Sequence, residues 1–118
     1  MTEEQRTRFA EALQRLAGDE DLLIAMGAMV LDDAPVVMAE LQQQIQAGQL
    51  SQAASTAHKL KGLLSTFDVG GCVLTIQQII TAAKADDLAE CVQSWSKCER
   101  EANELLAEVR GVVDPVST

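Results

Sequence analysis

Apolar residues recur at helical spacing along nearly the whole chain. Steps of three and four residues place them on one side of a helix, whereas no stretch alternates convincingly at the two-residue period of a strand. Tyrosine is absent and aromatic residues make up only 3% of the chain, which further disfavours sheet. The pattern therefore predicts an all-α fold.

The N-terminal part of the chain predicts two helical segments and a continuation after a proline. The first covers about residues 3–17 and ends at Gly18, and Asp19 is a good N-cap for the second. We expect a kink or a short break at residues 33–35, because Pro35 lacks the N–H that a helix interior needs, and then helix to Gly48. The predicted inward residues are Phe9, Leu13 and Leu16 in the first segment, Leu22, Leu23, Met26 and Val30 in the second, and Val37, Leu41 and Ile45 after the proline.

Three further helices are predicted, over about residues 50–66, 72–83 and 86–113, with a turn at 67–71 and an end at 114–115. Their predicted inward residues are Leu50, Ala53, Ala57, Leu60, Leu64 and Phe67, then Val73, Ile76 and Ile80, then Leu88, Val92, Trp95, Cys98, Ala102, Leu105, Val109 and Val112. Together the segments predict an antiparallel four-helix bundle with additional short N-terminal helical segments. We expect one domain over residues 1–118, with a flexible tail at 113–118.

Composition and charge narrow the possible functions. Hydrophobic residues make up 47% of the chain, which favours a folded domain. The net charge is −9, which argues against partners such as nucleic acid or anionic membranes. There is no uninterrupted run of 18 apolar residues and no signal-like N-terminus, so we expect a cytoplasmic protein without a membrane span. The chain has three cysteines, Cys72, Cys91 and Cys98, and no two of them form a CxxC motif. This pattern predicts reduced, mostly buried thiols and no metal site.

His58, the only histidine, lies in the one part of the chain that is locally positive. Residues 41–85 contain one acid and three lysines, whereas residues 1–40 contain nine acids and three bases and residues 86–118 contain eight acids and three bases. Ordinary scatter of charge explains this distribution equally well. The asymmetry is therefore only supporting evidence for a site near His58.

The surroundings of His58 on the predicted helix are more informative. Its ring points away from the buried stripe, and its neighbours at helical spacing are Lys61 and five small residues. The small residues are Ser51, Ala54, Ser55, Gly62 and Ser65. Glycine inside a helix costs about 0.5–1 kcal/mol relative to alanine. We interpret Gly62 as clearance for a partner, with close helix–helix packing as the alternative.

The run Ala57-His58-Lys59-Leu60-Lys61-Gly62 resembles the signature of the histidine-containing phosphotransfer domain. The resemblance implies a four-helix bundle that carries phosphoryl groups between receiver-domain aspartates in multistep relays, or that serves as the phosphorylated module of chemotaxis-type kinases. It implies that His58 is the phospho-acceptor, that Lys61 is the basic residue one turn on, and that Gly62 gives a partner access. The chain departs from the family at Asp68, where glycine is usual, and at Ile79-Ile80, where a leucine–acid pair is common.

The predicted chemistry rests on a neutral imidazole, which is a nucleophile near neutral pH. We expect the outward Nε2 of His58 to attack phosphorus while Nδ1 keeps its proton, and Lys61 to neutralise part of the added charge, with Lys59 further round the helix. The chain has no Gly-rich phosphate loop and no acidic pair near His58, so no cofactor of its own is expected. The Mg²⁺ should come from a partner receiver domain.

Two classes of function remain open. One is a phosphoryl carrier, not an enzyme, whose partners are response-regulator receiver domains, a hybrid histidine kinase, or both. The other is a helical interaction module that docks the same partners without being phosphorylated. Met29 or Val30 are candidates for an apolar part of the docking surface. Self-assembly through the last helix is a third possibility, but we expect a monomer.

Overall fold

The computed structural model describes residues 1–68 and 70–115, and every regular element in these ranges is a helix. The six helices are α1 (Glu3–Arg8), α2 (Ala10–Arg15), α3 (Glu20–Gln46), α4 (Leu50–Leu64), α5 (Cys72–Lys84) and α6 (Leu88–Val113). The four long helices pack in a ring, α3 on α4, α4 on α5, α5 on α6 and α6 on α3. This arrangement confirms the predicted all-α bundle, with α1 and α2 as the additional N-terminal helices.

The core of the bundle is filled from all four long helices. On α4 and in the turn that follows it, all six residues predicted to face inward are buried, and so are the predicted residues of α5. The helix starts also follow the sequence, because the Asp19 carboxylate accepts the Leu22 N–H at the start of α3 and the Asp87 carboxylate accepts the Glu90 N–H at the start of α6. The buried residues of α4 place one face of this helix against the core and leave the other face toward solvent.

The predicted break at Pro35 is wrong, because α3 runs continuously through it. Pro35 is exposed, so water can reach the carbonyl of Leu31 that would otherwise accept a helical N–H from position 35. Ala34 and Val37 beside the proline are buried in the bundle. Packing of the inner face therefore maintains the helix where local propensity opposes it.

The N-terminal segment differs from the single helix that the sequence predicted. α1 and α2 meet at Phe9, whose backbone (φ −107°, ψ 28°) departs from regular helix. The Phe9 ring is buried edge-on against Phe67, with ring centroids 5.8 Å apart. Leu13 and Leu16 of the predicted inward face are only partly buried.

Three residues predicted to be buried are exposed instead: Leu22, Leu88 and Val92. At the start of α6 the inner positions are occupied by Cys91, Ser94 and Trp95, so Leu88 and Val92 lie to one side of the packed face. Met26 on α3 is also only partly buried. At the helix starts, apolar character does not predict burial reliably, because fewer neighbouring helices pack against these positions.

The end of the chain differs in part from the prediction, whereas the cysteines agree with it. α6 includes Val113, so the predicted tail is helical at its first residue, Asp114 and Pro115 follow as exposed residues, and positions 116–118 lie outside the described residues. All three cysteines are buried free thiols, as predicted.

Among the described residues, one helix, α3, has the length and the apolar composition that a membrane span requires. The core helix of a soluble bundle passes the same test, and Leu23, Ala34 and Leu41 of α3 are completely buried. The length and composition of α3 are therefore weak evidence for a membrane span.

Candidate functional site

His58 projects from the outer face of α4. Ala57 and Leu60, the residues next to it on the inner side of the helix, are completely buried in the core, whereas His58 itself is exposed. Because Ala57 and Leu60 anchor the helix, the imidazole is presented to solvent on a rigid element. This placement suits a group that must enter the active site of another protein.

The five small residues predicted around His58 all lie on the accessible side of α4 or directly after it. Ser51, Ser55 and Gly62 are exposed, and Ala54 and Ser65 are half-buried. Ser65 follows the last residue of α4, and its hydroxyl donates a hydrogen bond to the carbonyl of Lys61. Three of the five small residues are therefore accessible on the helix that carries His58.

The structure removes the packing explanation for Gly62. A Cβ built on Gly62 would meet no neighbouring atom within 4 Å, so nothing in the described fold approaches this position closely. The glycine still carries its usual cost in a helix interior. Clearance for a molecule outside this chain is the interpretation that remains.

Lys61 is held by a residue that the sequence did not reveal. Its Nζ donates a hydrogen bond of 2.8 Å to Oε1 of Gln77 on α5. The Nε2 of Gln77 in turn lies 3.4 Å from the hydroxyl oxygen of Thr81. The contact joins residues on different helices, so no spacing rule within one helix could have found it.

The turn after α4 is built around Asp68, one of the positions at which the chain departs from the family pattern. The Cys72 N–H donates a hydrogen bond of 2.9 Å to Oδ2 of Asp68, which satisfies a free donor in the first turn of α5. Arg15 of α2 donates to the carbonyls of Ser65 and Thr66, at 2.8 and 3.1 Å, and so places a cation at the C-terminal end of α4. Asp68 therefore has a structural role at the start of α5.

Of the two docking candidates on α3, only one is accessible. Met29 is 64% exposed, whereas Val30 is 6% exposed and belongs to the core, so its assignment to the docking surface is wrong. Leu22 and Val36, seven residues on either side of Met29, are also exposed. These three side chains form an apolar stripe along α3, which we call the α3 stripe.

A shallow groove lies between α3 and α4, next to the small residues that surround His58. Its volume is about 390 Å³ and it is open to solvent. The residues that line it are all polar: Glu40, Gln44, Ser51, Gln52, Ser55 and Thr56. Ser51 and Ser55 thus belong both to the groove and to the surroundings of His58.

The buried thiols are chemically quiet by comparison. A hydrogen bond with Cys98 and burial raise the pKa of the Cys72 thiol, and burial raises the pKa of the Cys91 thiol. A raised pKa leaves little thiolate near neutral pH, so neither is an activated nucleophile. Over residues 1–68 and 70–115, no group of three or more His, Cys, Asp or Glu side chains is arranged to hold a metal ion.

The family model of the Hpt domain matches residues 25–112, which cover most of α3 and nearly all of α4 to α6. The chain belongs to the Hpt family. Hpt domains carry phosphoryl groups in phosphorelays, together with receiver domains or kinases, and are carriers rather than catalysts. Comparisons with curated proteins and with solved structures give no match. The segment that precedes the match contains α1 and α2 and adds Arg15 to the end of the histidine helix of this Hpt domain.

Proposed function

We propose that His58 accepts a phosphoryl group and passes it to or from receiver-domain aspartates in a cytoplasmic two-component phosphorelay. The observation that carries this proposal is the exposed imidazole of His58 beside Gly62, where a Cβ would meet nothing within 4 Å. An accessible nucleophile on a cleared, rigid surface suits insertion into a partner's active site.

The transfer step itself needs little from this chain. The lone pair of His58 Nε2 attacks phosphorus and forms a P–N bond, while the bond between phosphorus and the donor aspartate oxygen breaks and the carboxylate leaves with its electron pair. Nδ1 keeps its proton during the attack, so the ring carries a positive charge when the P–N bond has formed, and this charge is lost when Nδ1 later releases its proton to water. Transfer to the next receiver runs the same exchange in reverse.

Charge is the second contribution of the chain. Lys61 lies one turn from His58 on α4 and has two Nζ–H donors beyond the one that Gln77 accepts. It would neutralise part of the charge on the phosphoryl oxygens. The in-line geometry and the Mg²⁺ would be supplied by the acidic pocket of the receiver domain.

The docking surface is proposed to centre on the small residues around His58 and to extend over the polar groove toward α3. The members on α4 and just after it are Ser51, Ala54, Ser55, Gly62 and Ser65. Met29 and the α3 stripe supply exposed apolar area that a partner domain could cover. Lys59 and Lys61 would favour approach of an acidic pocket.

The test is phosphoryl transfer to the purified chain from phosphorylated receiver domains and from histidine kinases of the same cell. Wild type should acquire a label that is labile in acid and stable in alkali, and His58→Gln should acquire none. Because His58 is exposed, we expect His58→Gln to unfold at the same urea concentration as wild type. Lys97→Gln, at an exposed position on α6, is the matched control and should still be labelled.

The α3 stripe favours a second candidate function, a docking module that binds a receiver or kinase without phosphorylation. Its three apolar side chains would bury area against a partner whether or not His58 reacts. Partner binding that survives His58→Gln, together with the absence of label on wild type, would favour this function over the carrier.

A further inference from the structure

The link between Lys61 and Gln77 joins the histidine helix to its neighbour. Lys61 on α4 is half-buried and donates to Gln77 at 2.8 Å, while Gln77 on α5 is exposed. The Gln77 amide continues to Thr81, one turn further along α5. The ammonium that stands one turn from His58 is therefore tied to a second helix.

A lysine side chain on a helix surface has several rotatable bonds and loses considerable conformational entropy when it is fixed in one place. A hydrogen bond that the ammonium donates to a neutral amide oxygen restricts the ammonium without cancelling its charge, whereas a carboxylate partner would cancel it. The two remaining Nζ–H donors stay available for phosphoryl oxygens. Glutamine thus suits a residue that must orient a cation and leave it cationic.

We propose that Gln77 is a positioning residue for phosphoryl transfer, which acts by holding the Lys61 ammonium beside His58. The inference rests on the proposed function, since it concerns the same site. Gln77 acts through Lys61, so its removal should slow transfer only while Lys61 is present. The exposed position of Gln77 predicts little change in the stability of the bundle.

The test compares transfer rates from one phosphorylated receiver domain to wild type, Gln77→Met, Lys61→Met and the double variant Lys61→Met with Gln77→Met. Methionine keeps the length and helix propensity of glutamine but offers no amide acceptor. Gln78→Met is the matched control, because Gln78 is the adjacent exposed residue on α5, whereas the hydrogen bond of Lys61 goes to Gln77. We expect Gln77→Met to transfer about three- to tenfold more slowly than wild type, as for the loss of one ordinary hydrogen bond at an exposed site.

The double variant separates positioning from a general effect on α5. It should be no slower than Lys61→Met alone, because Gln77 has nothing left to hold. The ¹⁵N resonance of the Lys61 ammonium should move in Gln77→Met and stay in place in Gln78→Met, and the ³¹P resonance of phosphorylated His58 should move in the same way. These resonances report the position of the ammonium, which a merely structural role of Gln77 would leave unchanged.

Equal transfer rates for Gln77→Met and wild type would overturn the inference and leave the proposed function standing. A defect of Gln77→Met that persists in full in the Lys61→Met background would also overturn it, because Gln77 would then act by another route. If wild type and all variants remain unlabelled while the receiver stays phosphorylated, the proposed function fails and the inference falls with it.

Discussion

Gly27 and Gly62 both lie inside long helices, yet their surroundings are opposite. A Cβ on Gly27 of α3 would lie 2.8 Å from Cγ2 of Val113 and 3.1 Å from Cγ1 of Val109. A Cβ on Gly62 of α4 would meet nothing within 4 Å. The fold needs the first glycine in order to bring α3 against α6, and it does not need the second.

The comparison separates a glycine that the packing of the fold requires from one that we propose serves the access of a partner. Both glycines lower helix propensity by about 0.5–1 kcal/mol relative to alanine. At Gly27 close packing offsets this cost within the molecule. At Gly62 no contact of the described fold offsets it, and we propose that the benefit is access of a partner to the exposed His58, four residues earlier.

The largest effect on stability is expected from Gly27→Ala. The added methyl would overlap Val113 and Val109, and overpacking of this kind typically destabilises a core by about 1–3 kcal/mol. Urea denaturation of the variant and of wild type measures the change.

The control for Gly27→Ala is the same substitution in a Val113→Ala background. Removal of the Val113 methyl groups should relieve the closest contact, so the two changes together should cost less than the sum of the single changes. An unchanged urea midpoint for Gly27→Ala would contradict the packing role of Gly27.

The next largest effect is expected from a substitution of Gly62, which should stabilise the protein rather than destabilise it. Gly62→Gln should stabilise α4 by several tenths of a kcal/mol, because glutamine is a better helix former and the space is open. The same side chain should obstruct a docking receiver and lower the transfer rate about tenfold, which corresponds to about 1.4 kcal/mol. Urea denaturation and transfer kinetics on one preparation measure both changes.

Ala107→Gln provides the matched control for Gly62→Gln, since it adds a comparable exposed side chain on α6. Its transfer rate should equal that of wild type. A Gly62→Gln protein that is more stable and transfers at the wild-type rate would show that no partner needs this clearance.

The smallest expected effect is the pH dependence of stability that arises from the buried thiols, which differ in this from the exposed imidazole. The pKa of Cys72 and that of Cys91 are raised, so the folded state favours the neutral thiol. Their contribution to stability is complete below about pH 8.5, where an unfolded thiol stays protonated, and is lost as pH rises above it. The urea midpoint should therefore fall between about pH 7 and pH 10.

Chemical modification checks the same contrast directly. A thiol reagent should label the native protein slowly and all three cysteines after unfolding, whereas an acylating reagent should modify His58 of the native protein at once. Rapid labelling of native thiols, or an unchanged urea midpoint at high pH, would contradict their burial as neutral groups.

The histidine helix was predictable because its two faces differ in composition along its whole length. Leu60 and Leu64 lie at helical spacing on the inner face, while Ser55 and Gly62 lie on the outer face, so local sequence determines which side packs. The structure confirms both the burial of the first pair and the accessibility of the second.

Other features depend on contacts that local sequence does not contain. Pro35 was expected to interrupt α3, but packing on the opposite face holds the helix together. Val92 belongs to an apolar periodicity and is still exposed, because burial depends on whether another helix reaches it. Gln77 meets Lys61 only through the relative register of α4 and α5, which no pattern within either helix specifies.

The most direct test of the central claim is to locate the phosphoryl group on the wild-type protein. After transfer from a phosphorylated receiver domain, the chain would be digested at alkaline pH and its fragments sequenced by mass spectrometry. The account predicts that the phosphoryl group lies on His58 and that the modification is lost in acid. A group located on the hydroxyl of Ser51 or Ser55, stable in acid, would contradict the account.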